Sequence, residues 1–273
     1  MAAAIEGFPL KQKLKLLRQR AYAALSYRGH VPLSVSADPL GAVIHVDGMS
    51  VYAPSALRWK LYKKGWAARL DQLEREYGVG RHISLNEGST VLDIGANAGE
   101  FAHVAARYGA RIHCLEPDPK VFACLKANTS SLSRVSIHDT LIWKENADIA
   151  FFSAPNTADS SVFDEGQGEK ITKPAVTVER FCADNMIAQI DLLKCDAEGA
   201  EPEILEGIGA MFPHIRVIAL DTGAERQGAR THRECRTLLE AHGFSVFDEK
   251  ISKRLMTYGV NPEFEKHPDA ITP

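Results

Sequence analysis

The chain has 273 residues, 45% of them hydrophobic and 25% charged, and a formal net charge of −3. That balance suits a globular protein with a sizeable core and gives no overall basic footprint for nucleic acid. Its five cysteines stand singly without a Cys-x-x-Cys pair, which excludes a disulfide framework or a thiolate zinc site. No apolar run reaches the roughly 20 residues of a membrane-spanning helix. The opening "MAAAIEGFPLKQKLKLL" lacks a signal peptide's apolar core, so the cytoplasm is the expected location.

Leu10, Leu14, Leu17, Ala21 and Leu25 recur at helical spacing, while Lys11, Lys15 and Arg18 share another face. Residues 10–28 are therefore expected to form a basic amphipathic helix. Docking of the leucine stripe on the main domain is favoured over contact with an anionic membrane surface, and a homodimer is a further use for exposed leucines. Residues 33–53 alternate in polarity, with Asp47-Gly48 as a hairpin turn. "PSALRWKLYKKGWAARLDQLEREYGVG" reads as helical from Pro54 to Gly78 and Gly80, with Gly65 dividing it. Within it Trp59, Tyr62, Lys63, Lys64 and Trp66 are read as packing anchors in preference to a nucleic-acid surface.

From residue 89 the rhythm becomes strand, helix, strand. "TVLDIG", "RIHCLEPD", "RVSIHDTLIW", "IDLLKCD", "RVIALD" and "GFSVFD" are strand-like, with amphipathic helices between them. Strands rich in Ile, Leu and Val separated by helices specify an α/β, Rossmann-like sheet, mostly parallel and covered on both faces. Residues 1–86 form an N-terminal helical and β-hairpin extension, and 87–273 the main domain. The polar loop 153–170 is long enough to serve a site at the sheet edge.

Ligands of such sheets bind beyond the carboxyl ends of the strands, where strand order reverses. The first strand ends in Asp93-Ile94-Gly95-Ala96-Asn97-Ala98-Gly99. A dinucleotide loop requires G-x-G-x-x-G to close on a pyrophosphate, and Asn97 stands where that pattern needs glycine. Gly95 and Gly99 still permit close approach, which suits an adenosine ligand without phosphates, S-adenosylmethionine above all. Glu116 at the second strand end would meet the ribose and Asp139 at the third the adenine, with Pro117 and Thr140 beside them among the cofactor-binding residues. Asp93 would fix the loop or receive the methionine ammonium.

"VLDIGANAGEF", "CLEPDP" and "DLLKCDAEGAE" together resemble the FkbM-type S-adenosylmethionine-dependent methyltransferases, from about Glu87 to Phe247. "ADSSV" is similar to a small-residue segment that the family carries between its third and fourth strands. The resemblance implies a class I methyltransferase sheet of seven strands, the last antiparallel and here within "SKRLMTYGV". It also implies methyl transfer to a hydroxyl of a sugar, glycan or natural product. Where the family tends to have a glutamate at the end of the fifth strand, this chain has Asp221.

Methyl transfer needs an aligned acceptor and removal of its proton. Asp196 and Glu198 are the candidate bases. With Asp221 they could instead hold Mg²⁺, whose hard oxygen preference suits carboxylates. Lys194 either pairs with a neighbouring acid or orients the methionine carboxylate, and Glu201 caps the next helix. The rival readings are an NAD-dependent oxidoreductase, a nucleic-acid methyltransferase and a non-catalytic cofactor-binding scaffold. The partner expected is a small-molecule or glycan acceptor, with no nucleic acid.

Overall fold

In the computed structural model, which describes residues 5–26, 31–154, 160–163 and 168–264, the strand–helix rhythm forms a seven-stranded sheet. Its strands are β1 (Thr90–Ile94), β2 (Arg111–Leu115), β3 (Val135–His138), β4 (Ile190–Cys195), β5 (Ile215–Asp221), β6 (Ser245–Ile251) and β7 (Arg254–Val260). They lie in the order β6-β7-β5-β4-β1-β2-β3. Neighbours from β5 to β3 pair in parallel, and β7 is antiparallel to both β5 and β6. Strand order reverses between β1 and β4, which marks the ligand crevice.

The period of two along each strand buries both faces. Leu92, Leu193 and Ile218 enter one core with the helices Val178–Asp184, Glu201–Glu206 and His232–Ala241. Val91, Leu192 and Val217 enter the other with Trp66–Glu76, Glu100–Arg107 and Pro119–Thr129. All five cysteines are buried and unpaired. No helix among the described residues is long and apolar enough to cross a membrane.

Two stretches depart from the pattern. "RVSIHDTLIW" breaks at Asp139-Thr140, and Leu141–Ile142 join a separate sheet with Glu169–Val176 and Ala147–Ser153. Neither of the last two strands is expected, because Pro174 inside "EKITKPAV" argues against an inner strand. Here Pro174 faces Asp148 in an antiparallel ladder whose neighbouring residues supply the pairing. The loop 153–170 connects these two strands; its residues 155–159 and 164–167 lie outside the described residues.

Residues 33–53 form a meander of Leu33–Asp38, Gly41–Val46 and Met49–Ala53, with Asp47-Gly48 at the second turn. The helical stretch that follows is divided at Gly65 into a 3-10 turn, Ala56–Tyr62, and the helix Trp66–Glu76. The division has a cause. Gly65 takes φ 100°, and Asp47 Oδ2 accepts from Trp66 N at 2.8 Å where a Cβ on residue 65 would crowd it.

The helix Leu10–Ser26 forms, but the described leucines of its stripe, Leu10, Leu14 and Leu17, do not dock. Leu10, Leu14 and Leu17 are 74%, 58% and 45% exposed, whereas Leu16 is buried with Phe8 against the meander. The meander's apolar face is shared with Ala56, Trp59 and Tyr62, and Leu16 meets that core from a different side of the helix. The side chains of Ala21 and Leu25 and residues 27–28 lie outside the described residues. Trp59 and Tyr62 are buried, so they offer no stacking platform to a nucleic acid.

Candidate active site

The glycine loop is built at the end of β1. Gly95 takes φ 74°, and a Cβ there would lie 1.9 Å from the carbonyl oxygen of Asp196. Asn97 also has positive φ, a conformation asparagine tolerates, and its backbone N–H donates to Glu116 at 2.9 Å. The other oxygen of Glu116 accepts from Asp118 N at 2.9 Å. Burial pushes the Glu116 carboxyl up to about 7 against the pull of these hydrogen bonds. Asp118 in turn caps the helix Pro119–Thr129 and accepts from Ser153 and Ser160 at 2.6 and 2.8 Å. The small-residue segment is thereby tied beside the loop.

Asp93 and Lys194 are registered neighbours on β1 and β4, buried, with Nζ 2.6 Å from Oδ1. Lys194 also donates to Gly95 O at 3.2 Å and lies 4.8 Å from the Tyr77 ring centroid. Burial opposes the lysine's charge, but Asp93 and Asp196 outweigh it and raise its pKa. Lys194 thus bridges Asp93 and the backbone of the glycine loop. Asp139 likewise pairs with Lys173, which also donates to Pro117 O.

Beyond β4 the chain turns through Glu198, at φ 51°, and Gly199, at φ 93°. The fully buried Glu201 staples this turn, accepting from Ala197 N and Gly199 N, while Thr231 donates to its other oxygen. Burial pushes Glu201 up to about 7. Asp196 Oδ2 accepts from Tyr77 OH and Arg254, each at 2.7 Å. Burial would raise the Asp196 pKa, but Arg254 and Lys194 overcome it and bring it down to about 2.

Asp196, Asp221 and Glu225 offer carboxylate oxygens within 4.8 Å of one another. The guanidinium of Arg254 stands among them, bonded to Asp196 and Asp221 and 4.0 Å from Glu225. Glu76 adds a fourth carboxylate at 3.7 Å. Burial, Asp196 and Asp221 push the Glu225 carboxyl well above the usual carboxylate range. An arginine thus holds the cation position that Asp196 and Asp221 could offer Mg²⁺. Arg254 and Tyr77, which hold Asp196, are side chains the sequence pattern does not single out, although "SKRLMTYGV" contains the arginine.

Two cavities meet at this point. The inner one is lined by Leu115, Glu116, Pro117, Thr140, Leu141, Ile142, Phe151 and the serines 160 and 161. The outer cleft runs between the segment 57–77 and Ser252–Arg254. Gly95, Asn97, Asp196 and Glu198 line both. Ala96 lines the cleft alone, and Asp93, Gly99, Asp139 and Asp221 line neither. The inner lining holds three carboxylates and, among the described residues, no lysine or arginine. The cleft holds eight lysines and arginines against four acids. At its floor Arg58 and Arg69 both lie 3.8 Å from Glu100, to which Tyr62 donates at 2.8 Å.

Residues 93–246 match the family described as the methyltransferase FkbM domain. The 31-O-demethyl-FK506 methyltransferase FkbM of Streptomyces tacrolimicus is 29% identical over 207 residues, 62% of this chain and 78% of that protein. The 2-O-methyltransferase NoeI of Sinorhizobium fredii is 26% identical over 178 residues, 53% and 73% of the two. Among solved structures, Aeropyrum pernix fibrillarin with natively bound S-adenosylmethionine aligns at TM-score 0.45 and 15% identity, covering 84% of this chain and all of that one.

Proposed function

The chain belongs to the FkbM family of S-adenosylmethionine-dependent methyltransferases, and from that premise we propose that it methylates a hydroxyl oxygen of a sugar, glycan or natural-product acceptor. The observation that carries the cofactor assignment is the charge of the inner cavity, three carboxylates without a lysine or arginine. A pyridine dinucleotide would press its pyrophosphate against them, whereas S-adenosylmethionine presents a sulfonium and an ammonium. Leu115, Leu141, Ile142 and Phe151 suit the adenine, and Glu116 the ribose hydroxyls. The names of the two relatives specify 31-O and 2-O positions, which supports oxygen as the accepting atom.

When bound, the cofactor supplies an activated methyl group; alignment and proton removal fall to the chain. Asp196, kept ionised by Arg254 and Tyr77, is assigned to the cationic end of the cofactor. A carboxylate with a pKa near 2 is a weak base, so the acceptor's proton is assigned to Glu198, which lines both cavities. Lys194 and Asp93 hold the loop, and Arg254 stands where Mg²⁺ would meet Asp196 and Asp221. The same reading takes 1–86 as the extension that walls the acceptor cleft and 87–273 as the catalytic domain. The cleft's surplus of cations favours an acceptor bearing negative charge.

Calorimetry tests the assignment directly. Heat with S-adenosylhomocysteine and none with NADH is expected; saturable NADH binding without S-adenosylhomocysteine binding would reverse it.

A further inference from the structure

The helix Leu10–Ser26 is left with an apolar stripe that no described part of the chain covers. At about 100° per residue, Leu10, Leu14 and Leu17 fall within a narrow arc. Lys11, Lys15 and Arg18 border that arc on one side and Lys13 on the other, while Leu16 faces away from it into the meander core. The exposed leucines are thus flanked by cations along their length.

The helix contains five lysines and arginines, Lys11, Lys13, Lys15, Arg18 and Arg20, and no acid. Taking its charge of +5 from the chain's −3 leaves −8 for the remaining residues. The charge separation decides between occupants. A second copy docking through the same stripe would bring five cations against five, a repulsive arrangement. An anionic lipid surface satisfies both parts at once. The leucines enter the acyl boundary, and the lysine and arginine stems run along it with their charges at the headgroups.

We propose that the helix Leu10–Ser26 seats this protein on an anionic lipid surface through Leu10, Leu14 and Leu17. The seat is joined to the catalytic machinery by packing. Leu16 shares a core with Trp59 and Tyr62, and the 3-10 turn bearing them walls the acceptor cleft. The proposal does not depend on the reaction assigned above, since none of its residues touches either cavity.

Co-sedimentation of the full chain with phosphatidylcholine vesicles, with and without about one third phosphatidylglycerol, tests it. The wild type should pellet with the anionic vesicles, remain largely in solution with the neutral ones, and be released as salt rises. Leu14→Glu/Leu17→Glu should lower vesicle affinity by roughly tenfold or more, with unchanged circular dichroism and S-adenosylhomocysteine heat. Lys11→Gln/Lys15→Gln should weaken binding to anionic vesicles and not the residual binding to neutral ones. A wild type that stays in solution with anionic vesicles, or a double-glutamate variant that pellets like the wild type, overturns the proposal. So does a leucine-dependent dimer in sedimentation velocity that excludes vesicles.

Discussion

The inner cavity and the outer cleft share four residues yet are charged and assembled differently. The cavity comes from the ends of β1, β2 and β4, closed by Leu141, Ile142 and Phe151 of the small sheet, and its charged lining residues are all acids. The cleft comes from chain segments far apart in sequence, 57–77, the β1 and β4 ends and 252–254, and is basic. The comparison repeats in miniature at two buried clusters: Arg254 stands among four carboxylates, and Glu100 among two arginines and a tyrosine. A cationic cofactor and an anionic acceptor would each find a complementary field, and the two fields meet at Gly95, Asn97, Asp196 and Glu198.

Several experiments would break or sharpen that contrast. The largest effect is expected from Gly95→Ala, which forces a Cβ into the Asp196 carbonyl at a positive φ. S-adenosylhomocysteine heat should vanish altogether, and the midpoint of urea denaturation should fall. Arg254→Gln comes next, because it leaves the buried Asp221 and the half-buried Asp196 without their shared guanidinium, at a cost of about 3 kcal/mol. Asp196 has a depressed pKa, so its stabilisation is present above the ordinary carboxylate range and is lost as pH falls towards about 2. The variant should lack that acid-side dependence. A variant as stable as the wild type would show that Arg254 is not the counter-charge.

Glu198→Gln should lower kcat by roughly 10²–10⁴ while leaving S-adenosylhomocysteine affinity within a few-fold, measured by methyl transfer and calorimetry. Full turnover would remove it as the base. Glu116 gives a smaller, graded effect. Its carboxyl stands near 7 in the free protein, and ribose hydroxyls donate best to the ionised form. Affinity should therefore rise between about pH 6 and 8 and level off above, and Glu116→Gln should flatten the profile. The same raised pKa means that Glu116 adds stability at low pH that fades as pH rises through about 7. Smallest of all, a chelator should change nothing, because Arg254 occupies the carboxylate cluster; activity lost to chelator and restored by Mg²⁺ would place a metal there after all.

The same contrast marks how far the sequence could be read. The β1 loop, Glu116 and the turn after β4 are legible because each lies within a few residues of a strand end, and strand periodicity locates the ends. The paired strands Ala147–Ser153 and Glu169–Val176 are not, since Pro174 masks the second. Tyr77 and Arg254 lie 119 and 58 residues from Asp196, and nothing local distinguishes them from other tyrosines and arginines. The leucine stripe was legible as a stripe, but which side of the helix the meander would accept depended on a core built from residues 33–62. Local patterns specify elements; pairings across the fold complete the acceptor side.

Arg254 opens β7, the strand that enters the sheet between two strands already translated. On a ribosome, every acid of the cluster emerges before the residue that neutralises it. A nascent chain lacking β7 would therefore hold Glu76, Asp196, Asp221 and Glu225 without the guanidinium that joins them, so seating of β7 and completion of the cluster become one event.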